Sequence, residues 1–483
     1  MFIALLIWKT TRASTPCGAG WNVTAGVRVD GLDIKSVSPV ASAALCCSEC
    51  ATVASCHAFV FVHSKQLCWL KTASSAKRRA DKDCTWGFDP AVPPVPSPTP
   101  GPPPTSPGCQ ADADCNGGGR CVAKACECAR GWAGEHCEQI KFGPAYACGV
   151  GGLCLNHSAA VQSAGARSYA DNFTSTWGGE AVQADDDSWH MYAASFGHDA
   201  ALGSWLSNSR VIHAVSQHPE GPYKLADVAL GPGEPGAWDE LTQHNPAIQR
   251  DPVSGTYLLY YMGSTNNGTV KTGGGECANN PEKKSLCNQR VGLATATHPG
   301  GPWLRRPKPI LDIGAPGAWD DQFTTNPTPL ALANGSVLLL YKARSREDFG
   351  KMSTGVAFAE TFEGPYRKLG SGPLAGVPGG CEDAGVYQDP QSKIFHIVLH
   401  CGCGYLTLWS LDGIGSWQPS KAGTIPWCTD VEFSDGSTHN MSTRQRPKWV
   451  RSKNGSVTHL LTGAASTDMH EGQTFTFAQR VLP

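Results

Sequence analysis

Two acidic residues, Glu382 and Asp383, stand side by side at the head of a strand-like run, and two guanidinium groups, Arg444 and Arg446, head another later in the chain. A carboxylate held beside a guanidinium stays ionised, so it can accept hydrogen bonds from hydroxyl groups or take up a proton as a base. On that ground Glu382 and Asp383 are the candidate catalytic residues, and Arg444 and Arg446 are candidates for substrate binding. His244, Asn245 and Asn326 add neutral donors and acceptors of the kind that orient hydroxyl-rich ligands, and they join the substrate-binding set. His396 and His400 lie four apart on one strand and share a face. His400 is a candidate ligand-binding residue or acid, whereas His396 reads as a residue packed against a neighbouring sheet. The acids of Asp239-Glu240 and Asp320-Asp321 recur at equivalent places, which points to loop building and not to catalysis. Asp185-Asp186-Asp187 reads as a solvated hairpin turn. None of these sets singles out a metal site, and no metal is expected from the residues themselves.

The elements that must position these side chains repeat. Gly236-Ala237-Trp238-Asp239-Glu240 and then His244-Asn245-Pro246 precede an aromatic-aliphatic run at 257–261. Gly317-Ala318-Trp319-Asp320-Asp321 and then Asn326-Pro327 precede a second such run at 337–341. Turns at Ser254-Gly255 and Asn334-Gly335 divide each copy into two strands, which is hairpin grammar. A second mark, Gly221-Pro222-Tyr223, Gly301-Pro302-Trp303 and Gly364-Pro365-Tyr366, follows three apolar-small strands; Ser410 to Gly413 with Ser416-Trp417 is a degenerate fourth copy. Strand starts recur at Trp177-Gly178-Gly179, His244-Asn245-Pro246, Thr325-Asn326-Pro327, Glu382-Asp383-Ala384 and Gln445-Arg446-Pro447. Self-similarity at a steady period signals a repeat architecture. Units of four strands packed radially bury their sheet faces and limit exposed edges. The expected fold is mainly β, with a five-bladed β-propeller over residues 142–483.

Composition agrees. The chain holds 55 Gly, 35 Pro and 15 Trp with only 17% charged residues, which favours a turn-dense β protein over helical bundles. A net charge of −2 gives no global field for nucleic acid, so none is expected as a partner. No apolar run reaches transmembrane length. Twenty-one Cys at short spacings point to an oxidising compartment, and sequons at Asn22, Asn172, Asn267, Asn334 and Asn440 agree. The chain is read as secreted, with residues 1–16, including the apolar Phe2 to Trp8, a partial signal segment.

Three further segments precede the repeats. Cysteines 17, 46, 47, 50, 56, 68 and 84 lie in residues 17–88, with a short helix expected around Cys46-Cys47-Ser48-Glu49-Cys50. Cross-links to strands stabilise a module too small for a large core. With Cys56-His57-Ala58-Phe59 and Cys68-Trp69-Leu70-Lys71, the pattern resembles the PAN/apple domain, which implies a protein- or carbohydrate-binding module; either Cys46 or Cys47 is expected to be bridged. Residues 89–107 are a Pro-rich linker that favours extended polyproline II. Six cysteines follow in residues 108–138, ending Cys126-Glu127-Cys128 and then Gly131-Trp132 to Cys137. This resembles an EGF-like domain, whose pairing implies Cys109–Cys121, Cys115–Cys126 and Cys128–Cys137; spacing alone allows fifteen connectivities. Ser106-Pro107-Gly108 replaces the acids of calcium-binding members. Within the propeller, Cys148 with Cys154 and Cys277 with Cys287 are expected to close loops, and Cys381, Cys401, Cys403 and Cys428 to staple the fourth blade.

The blade pattern resembles the five-bladed glycosidase superfamily, glycoside hydrolase family 43 above all, over residues 177–463. That resemblance implies hydrolysis of glycosidic bonds, with a base on the first blade, a modulating Asp on the second and an acid on the third. One carboxyl protonates the leaving oxygen while the other activates water. Here the matching positions hold Gly178 or Gly179, Asn245 and Asn326, so the three acids are absent from them. Some relatives hold an axial calcium ion, which the resemblance alone implies; no other cofactor is expected. Two functions follow: a glycan-directed extracellular protein with a hydrolytic propeller, or an inactive propeller that binds carbohydrate or glycoprotein in adhesion. A second carboxylate, Glu180 or Asp321, about 5–10 Å across from Glu382 or Asp383 would favour hydrolysis.

Overall fold

The computed structural model describes residues 22–29, 33–53, 56–71, 78–88, 108–148, 154–155, 173–197, 200, 202–273, 284–347, 352–415, 417–433, 436, 438–465 and 474–483. The expected signal segment, the Pro-rich linker, Cys17, Asn172 and Cys277 lie outside them. The chain divides into two compact units, residues 1–107 and 108–483.

In the first unit, Ser42 caps the helix Ala43–Ala51 by accepting a hydrogen bond from Leu45 N at 3.3 Å. The helix turns Cys46, Cys47 and Cys50 inward against a five-stranded sheet, where Phe59, Phe61 and Leu70 complete the core. Cys46 bonds Cys68 and Cys50 bonds Cys56. Cys47 is disulfide-bonded too, so the choice between Cys46 and Cys47 was a false alternative.

The second unit is a five-bladed propeller carrying the EGF-like module. Inner strands Phe173–Gln183, Thr242–Arg250, Phe323–Ala331, Cys381–Gln388 and Thr443–Arg451 stand around one axis, each touching the next and the fifth touching the first. Each begins its own antiparallel sheet. The fifth blade is closed by a strand the repeats do not reveal: Phe142–Cys148 pairs with the carboxy-terminal Phe475–Val481. All five inner strands carry a bulge at the same place, where the register slips and the backbone takes positive φ: Gly178 (62°, followed by Gly179 at 127°), Asn245 (50°), Asn326 (50°), Asp383 (55°) and Arg446 (59°). Bulges re-aim side chains. Asn and Asp tolerate this conformation well, whereas Arg446 adopts it only because its contacts hold it there.

The repeated Trp-Asp loops hold blades together. Trp238 stacks on Tyr261 with centroids 5.9 Å apart, and Trp319 on Tyr341 at 5.8 Å. Asp239 accepts from Tyr261 (2.8 Å) and Arg305 (2.9 Å), and Asp320 from Tyr341 (3.0 Å) and Lys368 (2.5 Å). Glu240 and Asp321 accept from Gly236 N and Gly317 N in turn, the structural role expected of them. Each Gly-Pro-aromatic residue reaches the preceding blade: Tyr366 meets Tyr260 at 2.7 Å, and Trp303 stands edge-on to Tyr192. Asp185 and Asp187 do sit in a turn, but they bind Arg250 and Lys453 instead of water alone.

Disulfides Cys109–Cys121, Cys115–Cys126 and Cys128–Cys137 give the EGF-like module its frame, and Cys381–Cys401 and Cys403–Cys428 staple the fourth blade. Cys109, Cys115 and Cys126 cluster closely, but bridging removes the thiolates a metal would need. The module is docked, not dangling. Trp132 donates to Tyr387 OH and Ile140 N to Tyr405 OH, each at 3.1 Å, and Trp132, Ile140 and Cys137 share one core with Tyr387, Tyr405 and Trp427.

Candidate functional site

The five bulges aim their residues at the axis, and four of them close into a ring through three side-chain bonds and one to the main-chain carbonyl of Asn245. Asn245 Nδ2 donates to Asn326 Oδ1 (2.6 Å), and Asn326 Nδ2 to Asp383 Oδ1 (2.5 Å). Arg446 donates to Asp383 Oδ1 (2.9 Å) and to Asn245 O (3.4 Å). The fifth position must be small: a Cβ on Gly178 would lie 3.1 Å from Arg446 Cβ. Burial opposes ionisation of Asp383, but Lys342, Arg446 and His400 outweigh it and hold the carboxyl well below its usual range. It therefore stays an anion, bound to partners on two sides, and is no proton donor.

Above the ring, at the mouth where the inner strands begin, lies a second set. Lys342 Nζ meets Glu382 at 2.5 Å and Asp383 at 3.8 Å. Burial disfavours the ammonium, yet Asp383 and Glu382 raise Lys342 above its ordinary value. His400 sits 3.7 Å from Glu382 and 3.6 Å from Asp383, and burial lowers its pKa, leaving a neutral ring. His244 bonds Ser209 Oγ at 2.7 Å and stacks under the part-exposed Trp205, with centroids 5.5 Å apart; burial holds it neutral too. Glu382 and Lys342 keep a solvent face, with side chains 22% and 15% exposed, where the ring below has almost none.

Of the sequence candidates, the structure thus gathers Glu382, Asp383, His244, Asn245, Asn326, His400 and Arg446 at one place. Arg444 is not among them. Its guanidinium is sandwiched over Trp427 (4.6 Å) and Phe142 (5.1 Å), donates to Gln479 and is pushed down to about 9 by burial, so it stabilises the fifth blade. His396 packs between Tyr387 and Trp132 of the docked module. Lys342, Trp205 and Ser209 escaped the sequence reading. A signal for Lys342 existed: it faces Thr325 across the strands as Met262 faces His244, a cation replacing an apolar residue between copies.

The proposed second acids are engaged elsewhere. Asp321 binds Gly317 N, Arg346 N and the Arg346 guanidinium. Glu180 accepts from Ile248 N (3.0 Å) and Gln249 Nε2 (2.9 Å), and burial raises it to about 7 against Lys448 and Arg451. Lys448 crosses beneath the ring to Ala384 O (2.9 Å) and Thr328 Oγ1, its pKa lowered to about 7 by burial and by Arg446. An axial calcium ion would need several oxygen ligands. This axis presents a guanidinium and an ammonium instead, and the residues do not fit that ion.

Comparison with known proteins separates the modules. A PAN-domain profile matches residues 27–71, and a Teneurin-like EGF-domain profile matches residues 111–140. The chain carries a PAN domain and an EGF-like domain ahead of a five-bladed propeller. No curated protein sequence matches it. Among solved structures it is similar to Zg3597, a family 117 glycoside hydrolase of Zobellia galactanivorans, at 17% identity and a TM-score of 0.45, over 65% of this chain and 88% of that one. The GH43_1 enzyme of Xanthomonas citri follows at 13% and 0.43, over 66% and 92%, and the catalytic domain of the Coprinopsis cinerea GH62 alpha-L-arabinofuranosidase at 10% and 0.45, over 70% and 97%. Among the described residues no helix is long and apolar enough to cross a membrane.

Proposed function

We propose that this is an extracellular, glycan-directed protein whose propeller binds carbohydrate at the ring mouth and does not cleave it. The carrying observation is the closed ring of Asn245, Asn326, Asp383 and Arg446. Hydrolysis needs one carboxyl that can give up a proton and a second across the sugar. Asp383 is held ionised by Lys342 and Arg446, Glu382 stands next to it on the same strand, and both face one ammonium. Binding asks for less. Trp205 offers an aromatic face, and Glu382, Lys342 and His400 offer hydroxyl partners around it.

The test uses the full chain secreted from eukaryotic cells. Aryl arabinosides, xylosides and galactosides are expected to give no turnover, while a glycan array retains the protein and Trp205→Ala removes that retention. Turnover abolished by Glu382→Gln would overturn the non-hydrolytic reading; an array that retains nothing would overturn the binding reading.

A further inference from the structure

A separate cavity of about 820 Å³ opens at the other mouth, where the inner strands end. Arg250 lies five residues past Asn245, roughly 16 Å along a strand rising about 3.3 Å per residue. Ligand pockets typically span about 300–1,000 Å³. Its wall is amphipathic. Ile248, Ala331 and Val253 give it apolar surface, and Val253 is 69% exposed there. Asp251 Oδ1 and Trp449 Nε1, an acceptor and a donor, are buried on the same wall with no hydrogen-bond partner. Two of the lining cations have close counter-charges, Arg250 gripping Asp185 at 2.6 and 2.9 Å and Lys453 meeting Asp187 at 2.6 Å, and the third, Arg451, donates to Gln249 with Glu180 as its nearby charge. An ion of either sign gains little here. A neutral ligand with hydroxyls along its edge and C–H groups on its face suits both kinds of surface.

Asn454 stands on this wall and heads Asn454-Gly455-Ser456, an N-glycosylation acceptor. Its Oδ1 accepts from Ser452 Oγ (2.6 Å) and Ser456 N (3.1 Å), which leaves Nδ2, the atom that carries a glycan, uncommitted. We propose that this cavity is a carbohydrate site whose occupant is the N-linked glycan of Asn454, its first sugars lying against Val253 and bonding Asp251 and Trp449. The glycan comes from a lipid pyrophosphate-linked oligosaccharide: the Nδ2–C1 bond forms, the C1–O bond to pyrophosphate breaks, and Nδ2 loses one proton. The inference rests on the extracellular reading above and is independent of the ring mouth.

The full chain secreted from eukaryotic cells provides the test. Glycopeptide mass spectrometry is expected to find Asn454 occupied. Under native conditions, an amide-cleaving glycosidase is expected to release that glycan on the order of tenfold more slowly than that of the exposed Asn440, whose Nδ2 is likewise uncommitted, because a seated glycan reacts only when it leaves the wall. Val253→Asp, at an exposed position, and Trp449→Phe, which keeps an aromatic ring but removes the N–H donor, are each expected to abolish the protection. An unmodified Asn454, release as fast as at Asn440, or protection that survives both substitutions would overturn the proposal. Trp205→Ala and Glu382→Gln are expected to leave the protection unchanged, so failure at the ring mouth and failure here read out separately.

Discussion

At the residue scale, the axis is decided by which charges are buried together. Arg446 and Asp383 neutralise each other in the ring, and removing one partner of such a pair leaves an uncompensated buried charge. Glu180 and Lys448 lie one layer deeper, and burial moves both toward neutrality. Glu180 rises from 4.5 to about 7, so its stabilising contribution is complete below pH 4.5 and is lost as pH climbs to about 7. Lys448, Arg451 and Arg446 face it and limit the rise. Glu180→Gln keeps an acceptor for Ile248 N and removes the titration. The melting temperature of this variant, relative to the unsubstituted protein, is therefore expected to rise by several degrees between pH 5 and pH 7.5, taking about 1 kcal/mol as roughly 2–4 °C in a large domain. A constant difference across that range would show that Glu180 does not titrate there.

At the element scale, the Trp-Asp loops work as staples because their neighbours lack side chains. A Cβ on Gly292 would lie 2.6 Å from the Tyr261 ring and 2.8 Å from Trp238; on Gly355 it would lie 2.6 Å from Tyr341 and 2.7 Å from Trp319. Both sites are interior strand positions closed on one face by the loop indole. Gly292→Ala and Gly355→Ala are each expected to lose about 1–3 kcal/mol by overpacking. Denaturant titration checks this; a neutral effect at both sites would mean that the loops yield and are not staples. The duplication of the loop was plain in the sequence, and so was its structural meaning, because an acid that recurs at every copy serves the blade.

At the scale of the whole molecule, the ring of blades is closed by a strand from before the first repeat, and the EGF-like module is packed on the fourth blade. The two compact units differ accordingly in what the propeller needs. Deleting residues 1–107 is expected to leave its melting temperature within a few degrees, since that unit is compact and has a core of its own. Deleting residues 1–148 removes Phe142–Cys148 and the Trp132–Tyr387 contact, and is expected to prevent cooperative folding or to yield aggregated protein. Equal behaviour of the two truncations, followed by calorimetry, would contradict this closure.

The periodic parts were legible in the sequence: five strand starts, the hairpin turns, the cysteine spacing of the EGF-like module and the positions where the copies disagree. Those are local, and local residue types suffice to specify them. The sequence also named most of the ring mouth, because Asn245, Asn326, Asp383 and Arg446 are one place read four times. Only the tertiary structure decided how they use one another. The side chain of Arg446 crosses the axis to Asp383 and Asn245 because the bulge re-aims it and Gly178 leaves it room, whereas Arg444, two residues earlier and before the bulge, is held by Trp427 and Phe142. Nor does any local pattern reveal that the strand Phe142–Cys148 seeks a partner at the far end of the chain. Pairings and charges that meet across blades depend on the closed ring, which exists only once all five sheets have packed.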